Sequence, residues 1–411
     1  MKTPASKSVA QRALAIALIR KGITGLHHTG QSEDELAALT ILHQAGCHIT
    51  QQGAHLMIDS THAHLSGLHK INFGESGLSA RMFSPILALQ PQELILGGEG
   101  SLLQRSMHFL AEVFPKLKVN IISGKEHLPM TIQGPLRPVD ITVDGSLSSQ
   151  FITGLILAYT AAQAHNVTIR VANLVSKPYL SLTLKVMEEM KLPVPDHDAG
   201  YEYFRFKNQS VPGPKIDYTI EGDWSSAAFL FVAGAIAGEV SVTGLDVFSE
   251  QGDKTIMQAV METGAPMSIA TERIIVRKAL LKPFHFNAVD HPDLFPPLAV
   301  LGAFCNGTSV IEGVHRLVHK ESNRAETLQQ ELGKMGINIT FQDDMMLIKG
   351  NQPVRGAVVD SRGDHRIAMA CAVAALMADG PTTITNAHAI KKSWPSFFED
   401  LQSIGAKINS L

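Results

Sequence analysis

The stretch VDGSLSSQFITGLILAYTAA, residues 143–162, changes character near its middle. Its second half is an apolar run of helical type, and that run begins with Ser148, Ser149 and Gln150. One serine can serve as a helix N-cap, because its side chain accepts a hydrogen bond from a backbone N–H of the first turn. The second serine and the glutamine need another explanation. Helix N-termini also bind anions, so the stretch predicts either a plain cap or part of a phosphate site.

Five other segments share this pattern, because each is apolar nearly all round, rich in small residues and polar in its first turn. The six are SVAQRALAIALI (8–19), LSARMFSPILAL (78–89), SSQFITGLILAYTAA (148–162), SSAAFLFVAGAIAG (225–238), DLFPPLAVLGAF (293–304) and DHRIAMACAVAALMA (364–378). A helix that is apolar on every side is buried, so we predict six buried helices. If three helices from each half of the chain point at one cleft, six positive dipole ends meet there, which suits a polyanionic substrate.

Amphipathic helices between β-rich runs alternate with these buried helices. Their ends fall near Gly46, Lys116, Lys191, Gly264, Gly336 and Gly405, at intervals of 70, 75, 73, 72 and 69 residues. This nearly constant spacing indicates a duplicated supersecondary unit. A chain of 411 residues also exceeds one ordinary core. We therefore expect two closed domains of three units each, with the crossover near VPGPKIDYTIEGD, residues 211–223.

Composition excludes several classes of protein. An apolar content of 45%, with 18% charged residues and a net charge of −3, describes a globular protein and gives no support for nucleic-acid or membrane binding. The longest apolar run, residues 227–238, is too short to span a bilayer. The N-terminus lacks the apolar core of a signal peptide. The three cysteines lie far apart, which suits a reducing cytoplasm, and the scattered histidines predict no metal site.

Cationic side chains recur beside the polar helix starts or in the loops between helices. They are Lys7, Arg12, Arg81, Arg105, Lys320, Arg324, Arg366 and Lys392, and the carboxylates that accompany them are Asp223, Asp293, Glu321 and Asp364. Each cation alone is equally well explained by a surface ion pair, but together they indicate an anion site. A carboxylate among cations stays ionised, yet it can transfer a proton when substrate anions offset those cations. For Asp223 and Asp364, a cap or a salt bridge explains the residue as well as a function does.

No nucleotide-binding P-loop, GxGxxG, GxSxG or HExxH motif is present. The sequence instead resembles the enolpyruvyl-shikimate-phosphate synthase family, through SKSVAQRAL, DGSLSSQF, VSKPY, EGDWSS, HKESNR, DHRIAM and KKSWPSFF. The resemblance implies an α/β fold of two similar lobes, each of three βαβαββ units with buried parallel helices, which is the inside-out α/β barrel of enolpyruvyl transferases. We place the lobes at 6–218 and 219–411, with 1–5 as a residual N-terminal crossover.

The resemblance also implies a reaction. Family members transfer the enolpyruvyl group of phosphoenolpyruvate to the 5-hydroxyl of shikimate 3-phosphate and release phosphate, by addition and elimination through a tetrahedral adduct. The resemblance implies no metal and no other cofactor. We expect a cytoplasmic monomer whose partners are these two small molecules, and we expect shikimate 3-phosphate to close the lobes.

The family's functional residues transfer to this chain motif by motif. Those that match shikimate 3-phosphate contacts are Lys7, Ser8, Arg12, Ser148, Ser149, Gln150, Ser176, Tyr179, Asp293, Arg316 and Lys320. Those that match phosphoenolpyruvate contacts are Lys7, Gly77, Arg105, Gln150, Arg324, Arg366 and Lys392. Lys7, Asp293 and Glu321 match catalytic residues. On this basis Ser148, Ser149 and Gln150 begin a helix that faces a phosphorylated substrate.

The chain departs from the family pattern at several positions. Glu75 stands where asparagine is common beside Gly77, and its negative charge is expected to weaken phosphoenolpyruvate binding. Asn323 replaces the usual aspartate in HKESNR, and Arg316 stands where an asparagine of the family can contact the substrate. Ala5 replaces a glycine, and most of the strand that usually precedes it is missing, so we expect one lobe to lack a sheet edge.

Two other functions stay open at this point. The sister enzyme that acts on UDP-N-acetylglucosamine shares the fold and the enolpyruvyl donor, but it typically carries a reactive cysteine in the first lobe. This chain has no cysteine between Cys47 and Cys305. A non-catalytic shikimate-phosphate-binding paralogue would explain the departures, although the intact Lys7, Arg105 and Asp293 argue against it.

Overall fold

The structure is a computed structural model that describes residues 1–124, 126–207, 215–318 and 320–409. Residues 211–214 of the predicted crossover and His319 of HKESNR lie outside the described residues. The chain divides into two compact units. We call Ala5–Glu221 the N-terminal lobe, and Gly222–Leu411 together with Met1–Pro4 the C-terminal lobe. Within the described ranges, no helix combines the length and the apolar character needed to cross a bilayer.

The described part of the N-terminal lobe contains six α-helices of two alternating kinds. They are α1 (Lys7–Arg20), α2 (Glu33–Gln44), α3 (Gly77–Leu87), α4 (His108–Lys116), α5 (Ser149–Ala161) and α6 (Lys177–Glu189). Nearly every side chain of α1, α3 and α5 is buried, whereas α2, α4 and α6 bury one face. A 3-10 helix, Gly100–Gln104, precedes Arg105. The first three apolar segments therefore form interior helices, as predicted.

The strands of this lobe form three four-stranded sheets. They are β1 (Ile23–His27), β2 (His48–Gln52), β3 (His55–Asp59), β4 (Lys70–Asn72), β5 (Glu93–Gly97), β6 (Asn120–Ser123), β7 (Met130–Gln133), β8 (Ile141–Asp144), β9 (Val167–Ala172), β10 (Asp196–His197), β11 (Tyr203–Phe206) and β12 (Ile216–Thr219). The strand orders are β12-β1-β3-β2, β4-β5-β7-β6 and β8-β9-β11-β10. In each sheet the first pair is parallel and the others are antiparallel, so one unit occurs three times.

The C-terminal lobe repeats the alternation of helices over its described residues. Its helices are α7 (Trp224–Ala237), α8 (Ile256–Glu262), α9 (Phe295–Ala303), α10 (Arg324–Lys334), α11 (His365–Ala375) and α12 (Phe397–Ser403). Its 3-10 helices are Gly252–Thr255, Pro292–Leu294, Val314–Leu317 and Ala387–Lys392. The interior helices are α7, α9 and α11, which are the other three predicted apolar segments.

The strands of the C-terminal lobe also form three sheets. They are β13 (Glu239–Thr243), β14 (Met267–Ile269), β15 (Arg273–Arg277), β16 (His285–Asn287), β17 (Thr308–Glu312), β18 (Asn338–Gln342), β19 (Met345–Lys349), β20 (Val358–Asp360) and β21 (Thr383–Thr385). Their orders are β13-β15-β14, β16-β17-β19-β18 and β20-β21. Two lobes, each with three sheets and three interior helices in its described part, confirm the predicted α/β fold class.

The N-terminal residues cover an edge of the C-terminal lobe, contrary to the expectation that one lobe would lack an edge. Lys2 forms a parallel bridge with Thr243 at the end of β13. The Met1 amino group donates to the carbonyl oxygen of Ser241 at 2.6 Å, and the Thr3 N–H donates to that of Thr243 at 3.0 Å. Residues 1–3 therefore take the place beside β13 that a parallel strand takes in the complete sheets.

Close packing fixes two of the helices that carry predicted site residues. A Cβ atom at Gly154 in α5 would lie 2.7 Å from the carbonyl oxygens of Arg81 and Met82 in α3. Any side chain larger than glycine would push these two helices apart. The starts of α3 and α5 are therefore held in a fixed relation within the N-terminal lobe.

Candidate active site

Lys7 begins α1 and forms an ion pair with an acidic residue at the start of α2. Its Nζ lies 2.9 Å from Oδ2 of Asp34, and both side chains are largely buried. The hydroxyl of Ser6 caps α1 by accepting a hydrogen bond from the N–H of Val9. The pair fixes an otherwise mobile side chain, so Lys7 presents its charge at a defined place.

Arg105 lies against the first residue of α3. A Cβ atom at Gly77 would be 2.4 Å from Nη1 of Arg105 and 2.8 Å from Nη1 of Arg81, so the lack of a side chain at Gly77 lets both guanidinium groups lie directly against the backbone. The hydroxyl of Ser76 caps α3 by accepting from the N–H of Ser79. Two arginines thus lie at the N-terminal end of a buried helix, where the dipole also favours anions.

The start of α5 shares one of these arginines. Ser148 caps α5 by accepting a hydrogen bond from the N–H of Gln150 at 3.2 Å, and Ser149 is buried as the first helical residue. The side-chain Oε1 of Gln150 accepts from Nη1 of Arg81 at 3.1 Å. A plain helix cap therefore accounts for Ser148. It does not account for Gln150, whose side chain is hydrogen-bonded to Arg81, the same arginine that lies beside Gly77.

Arg12 joins α1 to α6. Its Nε donates to Oγ1 of Thr183 at 2.8 Å, while Nη1 and Nη2 donate to the carbonyl oxygens of Ser8 at 2.8 Å and Tyr179 at 3.2 Å. Burial lowers the pKa of Arg12 to about 10, so the guanidinium is still charged at neutral pH. Ser176, just before α6, has φ 59° and ψ 41°, a left-handed conformation that is strained for serine.

In the C-terminal lobe, Asp293 is contacted by three cations. Its Oδ1 lies 2.6 Å from Nη1 of Arg324 and 3.3 Å from Nζ of Lys320, and its Oδ2 lies 3.0 Å from Nη2 of Arg366. The carboxylate sits in the 3-10 helix Pro292–Leu294, directly before α9. Four of the predicted site residues therefore form one contiguous cluster.

Arg324 connects this cluster to two more carboxylates. Its Nη2 donates to Oε2 of Glu321 at 2.5 Å, and its Nε donates to Oδ2 of Asp364 at 2.8 Å. Asp364 also caps α11 by accepting from the N–H of Arg366 at 3.0 Å. The alternative left open for Asp364, a cap and a salt bridge, thus describes its contacts. Asp223 likewise caps α7, with the N–H of Ser226 at 2.6 Å.

The charges of this cluster shift the protonation of its members. Burial raises the pKa of Asp293, but attraction from Arg366, Lys320 and Arg324 outweighs burial and holds that pKa well below its usual range. Burial lowers the pKa of Lys320 to about 8, although Asp293 opposes this change. At neutral pH the carboxyl group of Asp293 is therefore ionised, and the ammonium group of Lys320 is still mostly protonated and loses its charge as pH rises through about 8.

The remaining predicted cations of this lobe are held by backbone carbonyl groups. Nε of Arg316 donates to the carbonyl oxygen of Val289 at 3.2 Å, and Nζ of Lys392 donates to that of Gly363 at 2.7 Å. Nε and Nη1 of Arg366 are buried and have no hydrogen-bond partner within the described residues. Buried donors of this kind are usually satisfied, often by a ligand or a water molecule, so Arg366 is suited to bind an anion.

The sequence patterns missed several residues that support this site. Asp34, the partner of Lys7, lies in an acidic helix start that is typical of plain dipole complementation. Gln11 is fully buried, and its Oε1 accepts from the hydroxyls of Ser76 at 3.1 Å and Ser79 at 3.0 Å. No local pattern identifies such partners, because each contact joins segments far apart in the chain.

Similarity to known proteins agrees with this arrangement. A sequence profile described as EPSP synthase (3-phosphoshikimate 1-carboxyvinyltransferase) matches residues 1–401. A protein of Methanocorpusculum labreanum named 3-phosphoshikimate 1-carboxyvinyltransferase is 35% identical over 405 residues, which cover 98% of this chain and 95% of that protein. A protein of Clostridium novyi with the same name is 32% identical over 415 residues, covering 99% and 95%.

The fold has a solved counterpart. The structure of an EPSP synthase from Acinetobacter baumannii superimposes with a TM-score of 0.80 at 24% identity, covering 100% of this chain and 96% of that chain. This likeness concerns the fold, whereas the profile and the relatives concern the sequence along nearly its whole length. Together they place the two-lobed chain, with its clusters of cations at buried helix starts, in the EPSP synthase family.

Proposed function

We propose that this protein transfers the enolpyruvyl group of phosphoenolpyruvate to the 5-hydroxyl of shikimate 3-phosphate and releases phosphate. The observation that carries the proposal is the contact of the Asp293 carboxylate with Arg324, Lys320 and Arg366. A proton acceptor among cations is what a reaction between two anions requires. The names of the relatives, which state carboxyvinyl transfer to 3-phosphoshikimate, support the choice of substrates.

The proposed ligands of phosphoenolpyruvate are mainly cationic side chains. In the C-terminal lobe they are Arg324, Lys392 and Arg366, and the role of Arg366 is supported by its two buried donors that have no partner within the described residues. In the N-terminal lobe they are Arg105, whose guanidinium lies against Gly77, together with Lys7, Gly77 and Gln150. Planar guanidinium groups suit the carboxylate and phosphate of this substrate, because they bind such groups in a bidentate manner.

The proposed ligands of shikimate 3-phosphate are mainly residues at helix starts. In the N-terminal lobe they are Lys7, Ser8, Arg12, Ser148, Ser149, Gln150, Ser176 and Tyr179, and in the C-terminal lobe they are Asp293, Arg316 and Lys320. Ser148, Ser149 and Ser176 can donate hydroxyl hydrogen bonds to phosphate oxygens next to helix N-termini. Three N–H donors of Arg12 already form hydrogen bonds within the N-terminal lobe. We therefore propose that Arg12 contributes its positive charge and fixes the position of α6.

The chemistry assigns a proton-transfer role to the acidic residues. A proton added to C3 of phosphoenolpyruvate makes C2 electrophilic, and the 5-hydroxyl oxygen then attacks C2 while its proton passes to a base. The tetrahedral adduct loses phosphate from C2 as a proton leaves C3, which restores the double bond. Asp293 is the proposed acceptor of the hydroxyl proton, because it is ionised. Glu321 and Lys7 are the proposed carriers of the C3 proton.

We propose that the protein acts in the cytoplasm. Cys47, Cys305 and Cys371 are free and buried, which favours a reducing cytoplasm.

We propose that the protein acts as a monomer, and light scattering after size-exclusion chromatography measures its molar mass in solution. A mass of twice the chain would contradict a monomer.

The experiment is phosphate release from phosphoenolpyruvate, with shikimate 3-phosphate, with no acceptor, or with UDP-N-acetylglucosamine. Release only with shikimate 3-phosphate is the expected result. Release with the nucleotide sugar would replace the proposal with the sister activity. A folded protein that binds shikimate 3-phosphate but releases no phosphate would identify a non-catalytic binding protein.

A further inference from the structure

Glu75 lies between β4 and α3, two residues before Gly77, and its charge was expected to oppose phosphoenolpyruvate. From its contacts we infer the opposite effect: Glu75 is a positioning residue that anchors the segment carrying Arg105 and so strengthens phosphoenolpyruvate binding. The inference rests on the proposed function, because it assigns Arg105 to that substrate.

The carboxylate of Glu75 is bound to the start of the 3-10 helix Gly100–Gln104. Its Oε2 accepts hydrogen bonds from both the backbone N–H and the hydroxyl of Ser101, each at 2.8 Å. Gly100 has φ +49°, and a Cβ atom there would lie 2.4 Å from Cδ of Glu75. The carboxylate therefore packs directly on this glycine, and its bonds to Ser101 are of the stronger, charge-assisted kind.

The segment between Ser101 and Arg105 transmits this anchor. The N–H of Leu102 donates to the carbonyl oxygen of Glu99, and the N–H of Arg105 donates to that of Leu102, both at 3.1 Å. The side chain of Leu102 is fully buried. Before the 3-10 helix, the N–H of Glu99 donates to the carbonyl oxygen of Gly74 at 2.7 Å. A short, hydrogen-bonded segment thus joins the Glu75 contact to Arg105.

The C-terminal end of this segment, at Arg105 and Ser106, contacts the start of α3. A Cβ atom at Gly77 would be 2.4 Å from Nη1 of Arg105, and Nη2 of Arg81 donates to the carbonyl oxygen of Ser106 at 3.3 Å. Glu75 and Gly77 therefore contact the two ends of one segment. Loss of the anchor at Ser101 should allow Arg105 to move, and a binding group displaced by about 1 Å can lower activity by about 10²-fold.

Two variants separate positioning from charge. Glu75→Ala removes the charge and both hydrogen bonds to Ser101, whereas Glu75→Gln removes the charge but keeps an acceptor oxygen. We expect Glu75→Ala to raise the KM for phosphoenolpyruvate roughly tenfold, with the KM for shikimate 3-phosphate unchanged, and Glu75→Gln to raise it less. If both variants leave the phosphoenolpyruvate KM unchanged or lower it, charge repulsion prevails and the inference is overturned.

A double-mutant cycle tests whether Glu75 acts through Arg105. In an Arg105→Ala background, Glu75→Ala should add no further increase in the phosphoenolpyruvate KM, because the positioned group is already gone. Independent increases that multiply would overturn the inference. Ser101→Ala removes the hydroxyl donor but keeps the backbone donor, so it should raise the phosphoenolpyruvate KM by less. This variant replaces Glu75→Ala in the test if Glu75→Ala does not fold.

The control is Glu99→Ala, which removes one carboxylate charge from the residue directly before the 3-10 helix. The carboxylate of Glu99 is exposed and accepts from Nδ2 of Asn72 at 2.7 Å, so we expect its phosphoenolpyruvate KM to stay within about twofold of wild type. An equal increase in Glu99→Ala would overturn the positioning role. A wild-type protein that releases no phosphate contradicts the proposed function, whereas an active wild type with normal Glu75 variants contradicts only the inference.

Discussion

In the N-terminal lobe, neutral caps and a glycine contact hold the predicted site residues at the starts of α3 and α5, whereas in the C-terminal lobe ion pairs hold the cluster around Asp293. Ser148 and Ser76 each cap a helix with a hydroxyl oxygen. Asp293, by contrast, contacts three cations, and Arg324 contacts three carboxylates.

The difference concerns how strongly the residues of each set depend on one another. A helix cap contributes about 1 kcal/mol and is largely local. Removing one partner of a buried ion pair leaves the other partner charged and unpaired, which is destabilising by about 3–5 kcal/mol. Changes in the C-terminal cluster should therefore spread through its members, while changes at the N-terminal caps should stay confined.

The largest effect is expected for Asp293→Ala. It removes the proposed proton acceptor, so kcat should fall by about 10²–10⁴-fold, while shikimate 3-phosphate still binds. Steady-state kinetics and calorimetric titration measure the two quantities. Asp379→Ala removes an exposed carboxylate from the same lobe and should behave as wild type. A kcat for Asp293→Ala close to that of the control would remove Asp293 from the chemistry.

The next effect is on stability. Asp364 is fully buried and accepts from Nε of Arg324, so Asp364→Asn should lower the free energy of unfolding by about 3 kcal/mol. Urea denaturation measures this change. Asp344→Asn alters an exposed pair with His315 and should change the free energy by less than about 1 kcal/mol. Similar values for both variants would mean that the C-terminal cluster is no more interdependent than a surface pair.

Lys320 gives the cluster a dependence on pH. Its pKa is lowered by burial to about 8, so its positive charge is present below this pH and is lost above it. The value of kcat/KM for shikimate 3-phosphate should therefore fall as pH rises through about 8. The phosphate of the substrate has a second pKa of about 6, so its charge does not change in this range and does not cause the fall. Lys320→Arg should move the fall to higher pH. An identical profile for the variant would exclude Lys320 as the titrating group.

The smallest effect is expected in the N-terminal lobe. Ser148→Ala removes the cap of α5 and should lower the free energy of unfolding by about 1 kcal/mol, with a higher KM for shikimate 3-phosphate. Ser396→Ala makes the same change at the start of α12, where the hydroxyl donates to Asp400 and caps no backbone group. Its stability and KM should stay near wild type. If Ser148→Ala lowers the free energy of unfolding by much more than the value of about 1 kcal/mol for a single cap, the residues at the start of α5 depend on one another as strongly as those of the C-terminal cluster.

The same comparison explains how far the sequence could be interpreted. Helix caps and buried helices depend on neighbouring residues, so Ser148 and the six interior helices could be predicted from local patterns. The pairs Lys7–Asp34 and Arg324–Asp364 join positions far apart in the chain, and no local pattern specifies them. The anchor of Glu75 on Ser101 was missed for the same reason, because the sequence indicates its charge but not the direction of its carboxylate.

The most direct test of the account is proton magnetic resonance of the reaction run in deuterium oxide with both substrates. Addition and elimination require that C3 of phosphoenolpyruvate gains a solvent-derived proton and then loses one. We predict an enolpyruvyl ether of shikimate 3-phosphate that carries deuterium in its methylene group. A product with a fully protonated methylene group, or no enolpyruvyl product at all, would contradict the account.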